Sequence, residues 1–255
     1  MTDATTDRRL LTEKAYPDST NLSARASIYD FRAQEVDWFR WVLSHTDWPA
    51  DARVLDVGCG PGSYLAHVRG CGVDLSEGMA REARRHAPTS VGDVCALPVR
   101  TGSIDRLLAP HMLYHAPDLH RGASELRRVL RRGGVALVVT NDRLHLGHLV
   151  DQMSQALGTR PSRFIDRFTL ENGRPLLQRH FDDVDVVHLR GELVVPELEP
   201  VLAYAESCRS LYETQLLGGI TWPEAMKRFA EFVRAEITDT GAWRAVTHSG
   251  VFVCR

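Results

Sequence analysis

Gly58, Gly60 and Gly62, in "VLDVGCGPG", delete three side chains within five positions. A backbone stripped of Cβ atoms can take positive φ and approach a ligand at van der Waals distance. The spacing is GxGxG, not the GxGxxG that cradles a pyrophosphate, and no Gly-Lys-Ser/Thr follows to make a P-loop. Three aspartates close successive apolar runs: Asp56 two positions before the loop, Asp74 in "GCGVDL" and Asp93 in "GDV". A carboxylate repels phosphate but attracts an ammonium or sulfonium group. Asp74 is placed to accept both hydroxyls of a ribose, and Asp93 to meet the exocyclic amine of an adenine. Loop and carboxylates outline a nucleoside with a positive tail. A lone GxGxG also arises where a helix packs tightly on a strand, so the loop by itself has a purely structural reading.

S-adenosylmethionine fits that outline. Methyl transfer from a sulfonium is an in-line displacement, for which positioning alone contributes up to about 7–11 kcal/mol. A base is needed only for an acceptor that arrives protonated, and adds about 10²–10⁴ in rate. "PHMLYHAPD" supplies His111 and His115, with Tyr114 beside them, and histidine titrates near neutrality. His115 is the better candidate base and His111 the second; both also read as residues that satisfy backbone groups or shape a pocket. "TNDRLHLGHL" offers Asn141, Asp142, His145 and His148 toward an acceptor. The pairs His111/His115 and His145/His148 have helical spacing but no acidic third ligand, so no metal is expected. Tyr16, Arg25 and Tyr29 stand in a segment able to form a water-excluding lid, or a packed amphipathic helix.

The elements that must position these residues read as βαβ units. "RVLDV", "GCGVDL", "SVGDV", "SIDRLLAP" and "GVALVVT" are short apolar strands; "SYLAHVR", "EGMAREARRH" and "DLHRGASELRRVL" are the intervening helices. Alternation of this kind predicts a doubly wound α/β sheet, mostly parallel. Only eleven residues separate Gly62 from Asp74, leaving the first helix about two turns. The first 15 or so residues are polar and expected to fray. Residues from Ser23 to His45 predict one or two helices. Beyond Thr140, "LHLGHLVDQMSQAL", "LENGRPLLQRHF", "LEPVLAYAESCRSLYE" and "PEAMKRFAEFVRAEI" read as helices, "DVDVVHL" and "ELVV" as strand, and "GVFVCR" as a closing strand. The expected organisation is an N-terminal helical segment or lid over residues 1–50. A Rossmann-like domain over 51–255 follows, with acceptor-binding helical additions at about 141–240.

Composition narrows the function. The 255 residues are 44% hydrophobic and 25% charged with a net charge of -2, so no bulk attraction to nucleic acid or an anionic membrane is expected. The runs "REARRH" and "RRVLRR" read as solvated helix faces. Five cysteines without a CxxC pair make neither a disulfide framework nor a zinc site. No apolar run approaches the roughly 18 residues of a membrane span. With no signal-peptide pattern in "MTDATTDRR", a cytoplasmic protein is expected.

"VLDVGCGPG", "GVDLSEGM", "GDVCALPV", "HMLYHAPD" and "ELRRVLRRGGVALVVT" resemble, in order and spacing, the class I S-adenosylmethionine-dependent methyltransferases over residues 53–140. Weaker likeness in "NLSARASIYDF" and "FTLENGRPLLQRHF" looks like an actinobacterial, small-molecule branch. The resemblance implies a seven-stranded sheet with an antiparallel last strand, S-adenosylmethionine as donor and S-adenosylhomocysteine as product. It implies that Gly58, Gly60 and Gly62 pass under the methionine part and that Asp56 anchors the loop, directly or through water. Asp74 would hold the ribose, Leu75 and Met79 would pack nearby, Asp93 and Val94 would bind adenine, and Ala109 and Pro110 would lie beside the methyl. Ala109-Pro110-His111-Met112 departs from the Asn/Asp-Pro-Pro-Tyr/Phe motif of amino methyltransferases acting on DNA. A small-molecule acceptor methylated on oxygen or nitrogen, in secondary metabolism, is the expectation, with Tyr29, Tyr114, Asn141 and His145 lining its site and the protein a monomer or homodimer. A non-catalytic cofactor-binding module, a partner subunit and a nicotinamide oxidoreductase are the other classes.

Overall fold

The computed structural model of the chain describes residues 5–255. The apolar runs become β1 (Val54–Val57), β2 (Cys71–Asp74), β3 (Thr89–Val91), β4 (Ile104–Pro110) and β5 (Leu130–Asn141). Two longer strands follow, β6 (Val184–Val195) and β7 (Trp243–Cys254). All seven form one sheet in the order β3-β2-β1-β4-β5-β7-β6. The first five run parallel, while β7 is antiparallel to both β5 and β6. Every residue of β1 is buried, as is β4 up to Ala109; such strands, covered on both faces, read as unbroken apolar runs. The chain leaves β1 toward β2 on one side and returns to β4 on the other, so their carboxyl ends diverge into a crevice.

The helices are α1 (Arg8–Leu10), α2 (Thr20–Ser27), α3 (Trp38–Leu43), α4 (Glu77–Ala83), α5 (Leu119–Val129), α6 (Gly147–Leu157), α7 (Leu170–Leu177), α8 (Leu198–Ser207), α9 (Arg209–Tyr212) and α10 (Trp222–Thr240). Side-chain caps start several of them: Ser76 receives the Met79 N–H of α4, Asp118 the Arg121 N–H of α5, and Thr221 opens α10 in a capping box with Glu224. Among the described residues, no helix is long and apolar enough to cross a membrane.

Two sequence expectations change. The stretch "SYLAHVR" is not a two-turn helix but a single 3₁₀ turn, Tyr64–Ala66. Only Tyr64 and Leu65 of that turn bury their side chains, and β2 begins at Cys71, so the chain crosses at once. The expected fraying of the N-terminus is not seen over residues 5–15; residues 1–4 lie outside the described residues. Asp7 caps α1 by accepting from the Arg9 and Leu10 N–H groups, a π-helical turn continues to Ala15, and Leu11 and Ala15 are buried. Two apolar side chains covered by the rest of the molecule hold down a segment whose own composition is polar. The stretch from Ser23 to His45 holds two helices, one of the two arrangements expected, with the break between the 3₁₀ turn Ile28–Phe31 and α3. There Arg32 bridges Leu193 of β6, and the Ala33 N–H donates to the Glu192 carbonyl at 2.9 Å. The N-terminal segment is thereby pinned to the sheet edge.

Candidate functional site

A largely apolar cavity of about 500 Å³ opens at the carboxyl ends of β1, β2 and β4. Gly58, Gly60, Asp74, Leu75, Met79, Asp93, Val94 and Pro110 line it from the sheet side. Tyr29, Tyr114, Asn141 and His145 line it further along, with His111 and His115 in its wall. Sequence reasoning therefore placed most of its candidates in one cleft. Asp56 and Gly62 do not line it.

The three glycines divide by what surrounds them. All have positive φ: 64° at Gly58, 54° at Gly60 and 88° at Gly62. A Cβ on Gly58 would lie 2.6 Å from the Met112 Cβ, and one on Gly62 would lie 3.0 Å from the Ala83 Cα of α4. These two are glycine because protein fills the space. A Cβ on Gly60 would meet only the Leu22 Cδ2, at 3.5 Å, an ordinary contact. Gly60 alone leaves a cradle open to the cavity, with α2 above it. Gly62, expected under the methionine part, does not line the cavity; it packs the loop onto α4.

Asp74 closes β2 with one backbone donor on each carboxylate oxygen, Gly60 N–H on Oδ2 and Ser76 N–H on Oδ1, both at 2.8 Å. A carboxylate oxygen accepts about two hydrogen bonds, so a second acceptor site remains on each. That matches a vicinal diol. Asp93 is more fully engaged: Oδ1 accepts from the Cys95 N–H at 2.8 Å and Oδ2 pairs with Arg8. Asp56 is fully buried, and among the described residues neither carboxylate oxygen has a hydrogen-bond partner. The loop amides are held instead by Asp74 and by the Val73 carbonyl, which accepts from Gly58 N–H at 2.7 Å. No direct anchor runs from Asp56 to the loop. Burial, and then the neighbouring Asp74 carboxylate, push its pKa well above the carboxylate range, which favours the neutral acid.

Two hydroxyl–imidazole pairs face the cavity. Arg25 Nη1 donates to Tyr16 Oη at 3.0 Å, and Tyr16 Oη meets His115 Nε2 at 3.1 Å. The Tyr16 oxygen accepts from Arg25 and its hydroxyl shares a hydrogen bond with His115 Nε2, so that nitrogen is engaged; Nδ1 is buried. In the second pair His248 N–H donates to His145 Nδ1 at 3.0 Å, and His145 Nε2 meets Tyr29 Oη at 2.7 Å. The same Nδ1 lies 3.2 Å from the His248 carbonyl oxygen, so the His248 backbone sets both a donor and an acceptor against this nitrogen. Burial lowers the pKa of His115 and of His145 to about 3 and that of His111 to about 4, so all three are neutral at pH 7.

His111 (φ 52°) and Leu146 (φ 52°) are the non-glycine residues with left-handed backbone among the described residues, and both line the cavity. Strain of this kind is retained where surrounding structure over-determines it, often at functional sites. The His111 ring stacks on Trp38 at 5.7 Å between centroids. Asn141 Oδ1 accepts from Ser249 Oγ at 2.7 Å. His148 turns away to Glu236 at 2.6 Å.

The far wall comes from the helical additions expected at about 141–240, but its residues were not named from sequence: Tyr204 of α8, Cys208 at the junction and Tyr212 of α9 line the cavity, as do Trp38, Arg32 and Phe164. The four-residue spacing of Tyr204, Cys208 and Tyr212 was a readable signal of one helical face.

Residues 55–138 match the family described as "Methyltransferase domain". The chain is 34% identical over 140 residues to malonyl-[acyl-carrier protein] O-methyltransferase of Enterobacter lignolyticus, covering 51% of this chain and 55% of that one. It is 38% identical over 111 residues to 23S rRNA (guanine(748)-N(1))-methyltransferase of Streptomyces fradiae, covering 39% of this chain and 37% of that one. The chain thus spans under two thirds of the length of either relative. Phosphoethanolamine N-methyltransferase 2 of Haemonchus contortus, solved with S-adenosyl-L-methionine, has a similar fold, with a TM-score of 0.58 at 17% identity. That match covers 98% of this chain and 60% of the other.

Proposed function

Starting from a chain that carries a class I S-adenosylmethionine-dependent methyltransferase domain, we propose that it moves the methyl group of S-adenosylmethionine to an oxygen or nitrogen of a small molecule enclosed in the cavity. The observation that carries this reading is the continuity of one cleft from Gly60 and Asp74 to Tyr29, Asn141 and His145. The open cradle at Gly60 and the spare acceptor sites on Asp74 fit the donor. When bound, the donor supplies an already activated methyl electrophile.

The protein's own residues bind, orient and exclude water. Asp74 accepts the ribose hydroxyls, Leu75 and Met79 pack beside them, and Val94 with Asp93 faces the adenine. Arg25 stands one helical turn beyond Leu22 on α2; its guanidinium donates only to neutral oxygens, those of Asn21, Tyr16 and Ala15. It is assigned to the methionine carboxylate. The segment from Arg8 to Trp38 roofs the cleft and keeps water out. Pro110 and His111 shape the wall at the end of β4. A protonated acceptor would lose its proton through the Tyr16–His115 pair, because His115 itself presents no lone pair to the cavity.

The two named relatives act on an acyl carrier and on ribosomal RNA. A small molecule is favoured here by the apolar cavity beneath α8 and α9 and by a net charge of -2, which gives RNA no general attraction. A place in secondary metabolism accords with that acceptor size. Calorimetric titration with S-adenosylhomocysteine, with NAD as control, tests the donor site. Selective micromolar binding is expected, and binding of NAD alone, or of neither, would overturn the reading.

A further inference from the structure

The acceptor end of the cavity contains a cation that forms no ion pair among the described residues. Arg32 lines the cavity, and its guanidinium lies over the Tyr29 ring at 4.7 Å and over the Trp38 ring at 5.9 Å. Among the described residues no group accepts a hydrogen bond from it, and no carboxylate comes within ion-pair distance. The other arginines of the cleft are engaged: Arg8 with Asp93, Arg163 with Asp166 at 2.8 Å, and Arg25 with its three neutral oxygens. Arg32 is half-buried, and burial lowers its pKa against the opposing influence of Tyr29 and of the neighbouring Asp30 carboxylate. Stacking on ring faces satisfies the guanidinium above its plane but leaves the in-plane N–H donors unused.

A hydroxyl lines the same space. Tyr29 Oη lies 2.7 Å from His145 Nε2, and burial raises the phenol pKa so that it stays protonated. Tyr29 is therefore a neutral hydroxyl under the Arg32 guanidinium, not a base. Cation and hydroxyl converge in a cavity that is otherwise mostly apolar. Planar in-plane donors plus one hydroxyl suit the two oxygens of a monoanionic carboxylate. A phosphate dianion would call for more donors and more positive charge than stand here.

We propose that the acceptor carries a carboxylate, held as a handle by Arg32 and Tyr29 at the end of the cavity away from Asp74. The inference rests on the methyltransferase reading, in that the opposite end is assigned to the donor. In the free protein the cation rests on two aromatic rings; the acceptor supplies its counter-ion and completes the site.

The test saturates the protein with S-adenosylhomocysteine and titrates it with 4-hydroxybenzoate, 4-hydroxybenzamide and phenyl phosphate by calorimetry. The benzoate is expected to bind at least about tenfold more tightly than the uncharged amide, as charge-assisted bonds require. Arg32→Met should abolish that preference, Tyr29→Phe should reduce it, and Arg32→Lys should keep part of it, with S-adenosylhomocysteine affinity within about twofold of wild type in each. Circular dichroism confirms that each variant is folded; if Arg32→Met is not, the comparison of Arg32→Lys with Tyr29→Phe decides. Equal binding of acid and amide, tighter binding of phenyl phosphate, or no binding of the benzoate by protein that still takes S-adenosylhomocysteine would overturn the proposal. A loss of S-adenosylhomocysteine affinity on Arg32→Met would also overturn it, by assigning the cation to the donor. Failure of wild-type protein to bind S-adenosylhomocysteine refutes the donor site instead, so the two failures are distinguishable.

Discussion

Substituting alanine at Gly60 and at Gly62 separates what a ligand demands of the loop from what the protein demands. At Gly60 the backbone φ of 54° lies in the left-handed region, which costs an L-residue about 1–2 kcal/mol. The added Cβ meets only Leu22, at 3.5 Å, so no clash increases that cost. At Gly62 the φ of 88° is combined with Ala83 Cα at 3.0 Å, Ala83 Cβ at 3.1 Å and His86 Cδ2 at 3.3 Å. Two of these atoms belong to α4 and cannot swing aside. Overpacking adds about 1–3 kcal/mol to the backbone strain. Thermal denaturation should therefore show Gly60→Ala melting within a few degrees of wild type and Gly62→Ala clearly lower, since a chain of this size loses about 2–4 °C per kcal/mol. Calorimetry with S-adenosylhomocysteine should reverse the ranking. A methyl group in the Gly60 cradle should weaken binding by about tenfold or more, while Gly62→Ala, below its melting point, should bind nearly as wild type. Unaltered affinity in Gly60→Ala, or an equal loss in both variants, would refute the division of the loop.

The remaining predictions concern the carboxylate and the imidazoles. Asp74→Ala should abolish detectable S-adenosylhomocysteine binding by calorimetry and cost some stability as well, since the Gly60 and Ser76 N–H groups lose their acceptor. His115→Ala should lower kcat more than it weakens donor binding, and Tyr16→Phe should do the same if the proton leaves through the hydroxyl; full turnover in both at saturating acceptor would remove the pair from the chemistry. His145, whose pKa is about 3 in the fold against 6.5 when exposed, binds fewer protons folded than unfolded. Its contribution is complete above the unfolded value and is lost as pH falls below it, by about 1 kcal/mol between pH 7 and pH 5.5. Urea denaturation of His145→Gln should show a shallower loss over that interval than wild type, and an identical slope would place His145 in water. Asp56 acts in the opposite sense: its raised pKa makes the folded state bind the extra proton, so Asp56→Asn should gain stability relative to wild type as pH rises.

The sheet was legible because its strands are short apolar runs ended by Asp, Gly or Pro, and burial on both faces writes that pattern into the sequence. The crossover after Gly62 was misread because "SYLAHVR" has helical composition, while helix length was decided by how soon Cys71 must enter β2. The N-terminal segment was hidden for a related reason. Leu11, Ala15 and Ile28 are too sparse to make a periodic face, and what orders them is cover supplied by residues far along the chain. The donor half of the site could be read because it lies within one continuous stretch at the ends of β1 to β4. In the acceptor half the sequence offers Tyr29, Tyr114, Asn141 and His145 as lining residues but not their pairing: Tyr29 and His145 are 116 positions apart, and nothing local couples them.

The same separation explains why residue type alone does not fix the chemistry of the histidines. His111, His115 and His145 share a near-neutral intrinsic pKa, and in sequence His115 and His111 read as candidate bases and His145 as an acceptor contact. In the fold each is neutral, but neutrality leaves the decisive matter open, which is what each ring nitrogen meets. At His115, Nε2 is engaged by Tyr16, whose oxygen also accepts from Arg25. At His145, Nδ1 lies against both the N–H and the carbonyl of His248, and Nε2 against the Tyr29 hydroxyl. The same imidazole therefore sits beside Tyr16 and Arg25 at one end of the cavity and beside Tyr29 at the other. Backbone and arginine partners set that difference, and neither partner is sequence-adjacent to the histidine it directs.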